Sequence, residues 1–214
     1  MIYLLSDLHG ELDFEVFNQY LEEDHSKDLL IVLGDTCLEM DDMEGNEEFT
    51  QRLLASRWPI ALVDGNHENF DFLYSFPVED WMGGKVHRMT EQVVHLMRGH
   101  VFELEGQSFL VFGGCRSSDA WKSHGKWYPQ EEATEEEYAL AYDNLKRYGH
   151  RVDFVLSHKY SLNTEDPYLV QGLFELTQYI DRNVAFRCWY SGHGHQNMVL
   201  DEKHRMVYDQ LTTP

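Results

Sequence analysis

The sequence predicts an α/β fold in which two mixed β-sheets pack face to face with helices outside. Three observations carry this expectation. Short apolar runs alternate with longer polar or amphipathic stretches along the first part of the chain. Several of those runs are apolar throughout, as strands covered on both faces are. Later segments read instead as paired hairpin strands with short turns. With 214 residues and 43% hydrophobic content, the chain can build one substantial core but is short for two, so one domain over 1–214 is expected.

The elements follow in order. Residues 1–6, 29–33, 60–63, 109–112, 154–157 and 186–191 read as strands, compact and rich in Ile, Val, Leu and Phe between turn residues. Helices are expected over 11–23, 47–56, 132–148 and 170–181. The third is the clearest: Ala133-Thr134 leads into Glu-rich first turns, Leu140, Leu145 and Tyr148 recur at helical spacing, and Gly149 stops it. Strands separated by helices imply right-handed crossovers and parallel pairing. Residues 85–88, 92–97, 100–104, 197–200 and 206–209 read as hairpin strands, with turns at Glu105-Gly106 and Asp201-Glu202. There is no internal repeat, low-complexity segment or linker.

Composition narrows the function classes. The formal charge of −21, from 17 basic and 38 acidic side chains, disfavours non-specific nucleic-acid binding. Acidic runs at Glu22-Glu23-Asp24, 41–48 and 131–137 read as solvated loop or helix faces. No apolar stretch approaches the roughly 20 residues that span a bilayer, so no membrane association is expected. Residues 1–5 lead directly into a ligand-type motif without a signal peptide, and a cytoplasmic protein is expected. Cys37, Cys115 and Cys188, an odd number without metal-type spacing, read as free packing thiols in a reducing compartment.

Five short motifs carry the chemistry: Asp7-Leu8-His9, Gly34-Asp35, Gly65-Asn66-His67-Glu68, Ser157-His158 and Gly192-His193-Gly194-His195. Four of them directly follow an apolar β-type run. Asp7 and His9, two apart at a strand end, can share one face or the loop mouth above the sheet. Carboxylate and imidazole together suit Mn, Fe, Zn or Ni. Gly34 lets the chain turn sharply, so that the Asp35 carboxylate can bridge two ions. Asn66 offers a neutral amide oxygen, and His158, His193 and His195 offer further nitrogens. His67, next to Asn66 but not needed as a ligand, is left as a proton donor.

In these motifs, whose order spans Asp7 to His195, the chain resembles the calcineurin-like metallophosphoesterases. The resemblance implies a four-layer αββα sandwich with two metal ions, Mn²⁺ foremost and Fe, Zn, Ni or Mg as alternatives. It implies that Asp7, His9, Asp35 and His195 hold the first ion and that Asp35, Asn66, His158 and His193 hold the second. It also implies direct phosphoester hydrolysis by a metal-bridging hydroxide attacking in line, with His67 protonating the leaving group. The substrate class is then a phosphodiester or small phosphomonoester, a nucleotide-like one among the candidates. The alternatives are a Ser/Thr-type phosphoprotein phosphatase and a non-catalytic metal-binding module.

The chain departs from the family's protein phosphatases, which follow the bridging aspartate with an Asp-Arg pair. Here the sequence is Gly34-Asp35-Thr36-Cys37-Leu38-Glu39, and Leu38 cannot orient His67. Glu39, Asp41 and Glu68 are the remaining candidates for that task. Losing the phosphate-gripping arginine mildly favours diesters. Arg116, after a strand ending Gly113-Gly114, is the substitute phosphate contact, with a surface salt bridge as its other reading. The 119–129 segment combines Trp121, Lys122, His124, Lys126, Trp127 and Tyr128, and reads as a specificity loop with Trp127 as a substrate contact or as an anchor for the following helix. The remaining histidines, His25, His87, His95, His100, His124, His150 and His204, read as surface or locally bonded residues.

Overall fold

The computed structural model describes residues 1–40, 43–123 and 127–214. The first half runs β1 (Ile2–Leu5), α1 (Glu15–Glu22), β2 (Leu29–Leu33), α2 (Asn46–Leu54), β3 (Ile60–Val63), α3 (Phe70–Tyr74), β4 (Val78–Trp81), β5 (Gly84–Arg88) and β6 (Val93–Leu96). These strands form one sheet in the order β1-β2-β3-β6-β5-β4, parallel from β1 to β6 and antiparallel beyond. The second half contains β7 (Val101–Leu104), β8 (Gln107–Phe112), α4 (Asp119–Lys122), α5 (Glu135–Arg147), β9 (Phe154–Ser157), α6 (Gln171–Asn183), β10 (Cys188–Ser191), β11 (Met198–Val199) and β12 (His204–Met206). Its sheet has the order β11-β12-β10-β9-β8-β7, with β12, β10, β9 and β8 parallel and an antiparallel strand at each edge.

Side-chain alternation along the strands creates the layers. In β2, Ile31 and Leu33 enter the core between the sheets, where they join Phe109, Val111, Phe154, Leu156 and Tyr190 of the other sheet. Leu30 and Val32 point the opposite way, onto Phe17 and Tyr20 of α1, Phe49 and Leu53 of α2 and Phe70 of α3. On the far side, Leu110, Phe112 and Val155 pack on Tyr138, Ala141 and Leu145 of α5 and on Leu173, Leu176 and Ile180 of α6. The result is the expected helix–sheet–sheet–helix sandwich, each fully buried large apolar side chain contributing roughly 1.5–3 kcal/mol. Helix α5 starts at Glu135, three residues later than expected, because Thr134 and Glu137 close a capping box there, and Lys146 and Arg147 lie in the last turn.

The structure corrects several expectations. The helix expected over 11–23 starts only at Glu15, because the preceding residues turn: Glu11 N bonds the Leu8 carbonyl and Asn18 Nδ2 bonds that of Leu12. Strand β4 is largely exposed and has no apolar run to announce it. The hairpin expected over 197–200 and 206–209 forms earlier on its second arm, as β11 with β12. Asp201 accepts the backbone N–H groups of Lys203 and His204 and so fixes the turn. The acidic run over 131–137 is not wholly solvated, since Glu131 is completely buried. No helix among the described residues is long and apolar enough to cross a membrane.

A buried polar cluster lies behind the loop that follows β3. Asp64 accepts from Arg98 Nε at 2.7 Å and faces His95 Nε2 at 3.1 Å, and His95 Nδ1 is 3.0 Å from His87 Nδ1. Burial, reinforced by the neighbouring His95, pushes His87 down to about 4. The folded protein therefore keeps His87 neutral at pH values where an unfolded imidazole, with its pKa of about 6.5, takes up a proton. Over that window the unfolded chain binds more protons, so this contribution to stability is complete above about pH 6.5 and declines toward pH 4. Calorimetric Tm should fall as pH is lowered through this interval, and His87→Phe should make the fall shallower. An unchanged slope would show that His87 is not a source of it.

Candidate metal centre

Parallel pairing places the ends of six strands along one rim of the sandwich, and the candidate residues occupy the loops that leave them. Asp7 follows β1, Asp35 follows β2, Asn66 and His67 follow β3, Cys115 follows β8, His158 follows β9, and His193 and His195 follow β10. Asp7, His9, Asp35, His193 and His195 all have φ between 49° and 69°, in the left-handed region that side-chain-bearing residues rarely enter. Each such residue costs on the order of 1–3 kcal/mol, and strain of this kind concentrates at functional sites. Two glycines permit the close approach. A Cβ on Gly34, whose φ is +92°, would lie 2.3 Å from His158 Nδ1, and one on Gly65 would lie 2.0 Å from Asp35 Oδ1.

Asp7, His9 and His195 form one group of donors. The Nε2 atoms of His9 and His195 are 3.0 Å apart, and His195 Nε2 is 3.4 Å from Asp7 Oδ1. Asp7 Oδ2 is occupied by the His193 backbone N–H at 2.9 Å, whereas Oδ1 is buried without a hydrogen-bond donor among the described residues. The His195 ring stacks on Tyr208 at 5.1 Å.

A second group surrounds His158. Its Nδ1 donates to the Leu33 carbonyl at 2.8 Å, which turns Nε2 toward His193 Nδ1 and Asn66 Oδ1, each at 3.2 Å. The Asn66 amide is fixed by donation from Nδ2 to Ser117 Oγ, and Ser117 N in turn donates to the buried Glu131. Asp35 joins the two groups: its Oδ2 is 3.9 Å from His9 Nε2 and 3.4 Å from His158 Nε2. Its Oδ1 accepts the His67 backbone N–H at 2.8 Å.

The electrostatics match this arrangement. Burial works against charge on Asp35, but His158, His67 and His9 hold its carboxyl well below the ordinary carboxylate range. Burial likewise opposes charge on His158, and Asp35 outweighs it, lifting the imidazole to about 9. Burial and then His158 push His193 down to about 3. Imidazole nitrogens that face one another, a buried carboxylate oxygen without a donor among the described residues and a mixed N/O donor set fit cations held by these groups. Metal capture by His158 would release a proton.

His67 sits beside this rim, partly buried, with its ring 4.2 Å edge-on from Trp121 and 5.7 Å from His9. Its Nδ1 has no hydrogen-bond partner among the described residues, and burial lowers its pKa. Leu38 is buried in the helix-facing core, and Asp41 lies outside the described residues. Glu68 is committed elsewhere: its carboxylate accepts the backbone N–H groups of Thr36, Cys37 and Gly65 and braces the Asp35 loop.

In the aromatic loop, Trp121 rather than Trp127 meets His67. Trp127 is 37% exposed, and Lys122 Nζ lies 4.3 Å over its ring. His124 and Lys126 lie outside the described residues. The Arg116 side chain is exposed and, among the described residues, reaches Asp119 at 3.5 Å. Reading from sequence missed Cys115, Tyr208, Tyr168 beside His193 and Glu131. None has a spacing signal, because each is brought in by tertiary packing. All three cysteines are buried.

Residues 1–197 match the family model of the calcineurin-like phosphoesterases. No curated protein matches the chain. Among solved structures, the chain is similar to a protein of unknown function from Aquifex aeolicus, with 16% identity, 87% of each chain covered and a TM-score of 0.44. It is also similar to phosphopantetheinyl hydrolase from Mycobacterium tuberculosis, with 17% identity, 97% of this chain and 89% of that chain covered, and a TM-score of 0.43.

Proposed function

The chain belongs to the calcineurin-like phosphoesterase family, and from that premise we propose that it hydrolyses a phosphodiester or a small phosphomonoester at a dinuclear metal centre built on Asp35. The observation that carries this reading is the position of Asp35 Oδ2, within 3.9 Å of a donor in each group. Asp7, His9, Asp35 and His195 would hold one ion, and Asp35, Asn66, His158 and His193 the other. When bound, the ions supply Lewis-acid charge for the phosphoryl oxygens and lower the pKa of water toward neutrality.

The chain's own residues perform the remaining tasks. Donation from His158 Nδ1 to the Leu33 carbonyl leaves Nε2 facing the site, and Ser117 sets the orientation of the Asn66 amide, so both donors are preorganised. His67 is tethered through its backbone to the bridging carboxylate and walled by Trp121, and in this reading it delivers a proton from its ring to the departing oxygen. With Leu38 buried, no Asp-Arg pair grips a phosphate dianion, which favours diesters over phosphoprotein substrates. Arg116 and Trp127, both exposed, are assigned to substrate contact in this reading.

The test combines elemental analysis of protein purified without chelator with turnover of para-nitrophenyl phosphate and its bis ester. Two metals per chain with faster turnover of the bis ester are expected. Absence of metal even after loading with manganese would overturn the assignment, and exclusive monoester turnover would overturn the diester preference.

A further inference from the structure

The second donor group contains an atom that the seven-residue ligand set does not use. Cys115 Sγ lies 3.1 Å from Asn66 Oδ1 and 3.7 Å from His193 Nδ1, and it clusters with His193 and His158 as a group able to hold one ion. Around a tetrahedral zinc-type ion, ligand bonds of about 2.0–2.1 Å to nitrogen or oxygen and about 2.3 Å to sulfur place N/O donors about 3.4 Å apart and sulfur about 3.6 Å from either. The measured edges are 3.2 Å for His158–His193, 3.2 Å for His158–Asn66, and 3.1 and 3.7 Å from the sulfur. These four edges lie within about 0.5 Å of the spacing of donors around a single centre.

The sulfur is also held in position. Cys115 follows Gly113-Gly114, its side chain is buried, and Gly114 N is anchored on the Asp64 carbonyl at 2.8 Å. The other cysteine beside the rim is directed differently, since Cys37 Sγ donates to the His67 carbonyl at 2.9 Å and is 3.6 Å from His9 Nδ1.

We propose that Cys115 is an additional thiolate ligand at the second metal position, making that position a mixed S/N/O site. This rests on the dinuclear reading above. A thiolate selects thiophilic and borderline ions such as Zn²⁺, Fe²⁺, Co²⁺ or Cd²⁺ over the hard Mg²⁺ and Mn²⁺, so the two positions differ in metal preference. The second position is then the one that discriminates against manganese. Binding there converts the thiol to thiolate with loss of one proton to solvent.

Cobalt(II) loading of the full chain, kept reduced, tests this without recourse to activity. A near-ultraviolet thiolate-to-cobalt charge-transfer band should grow in with two bound equivalents, persist in Cys37→Ser and disappear in Cys115→Ala. X-ray absorption on the unmutated protein should find sulfur at about 2.3 Å, one scatterer for every two bound metals, a readout independent of how the variants fold. Two bound cobalt ions without the band or the sulfur scatterer would overturn the thiolate ligand and leave the dinuclear centre standing. A band that survives in Cys115→Ala would also overturn it. Failure to bind cobalt at all would overturn both readings.

Discussion

Asp35→Asn is expected to lose metal and to lower turnover by about 10³-fold or more, the consequence of removing several kcal/mol of charge stabilisation from the side chain that lies between His9 and His158. The amide is nearly isosteric and can still accept the His67 backbone N–H, so the fold should survive. What is lost is the anionic oxygen between His9 and His158. Elemental analysis, steady-state turnover and circular dichroism separate these effects. A folded variant with two metals per chain and near-normal turnover would show that Asp35 does not bridge.

Arg98→Leu should be the most destabilising single change in the polar interior. Arg98 is 3% exposed, binds Asp64 through Nε and Nη2, and also donates to the carbonyls of Gln130 and Glu131. Burial works against both charges, yet each holds the other charged: Asp64 lies well below the carboxylate range and Arg98 above its ordinary value. Removing one partner strands a buried charge at a cost of about 3–5 kcal/mol. For a chain of this size that corresponds to a Tm decrease of roughly 6–20 °C. Pairing Arg98→Leu with Asp64→Leu should restore part of the loss, because the stranded charge is then absent. A decrease of less than about 3 °C in the single variant would mean that water reaches Asp64.

The architecture and the convergence of the candidate donors were legible in the sequence for the same reason. Strands covered on both faces, such as Leu29–Leu33, are apolar throughout, and a ligand loop that leaves a strand end sits at a fixed offset from that run. What could not be read depends on packing between distant segments. Glu131 belongs to an acidic run that looks solvated, but Ser117 draws it inside to hold Asn66. Cys115 had no partner at ligand spacing because its neighbours, Asn66 and His193, lie 49 and 78 residues away. The late start of α1 turns on a side-chain bond from Asn18 to the Leu12 carbonyl, which no apolar periodicity encodes.

The rim draws on both sheets, and this has a kinetic consequence. His9 and His195 approach to 3.0 Å across 186 residues of sequence. Closing so long a loop is entropically slow, and such contacts form only after the intervening strands have paired. The first donor group therefore cannot exist in a nascent chain until its last segment, after β10, has emerged and docked. In the proposed reading metal uptake would mark the end of folding rather than its beginning, and a chain halted before residue 193 would carry Asp7, His9 and Asp35 without the His195 imidazole that approaches them.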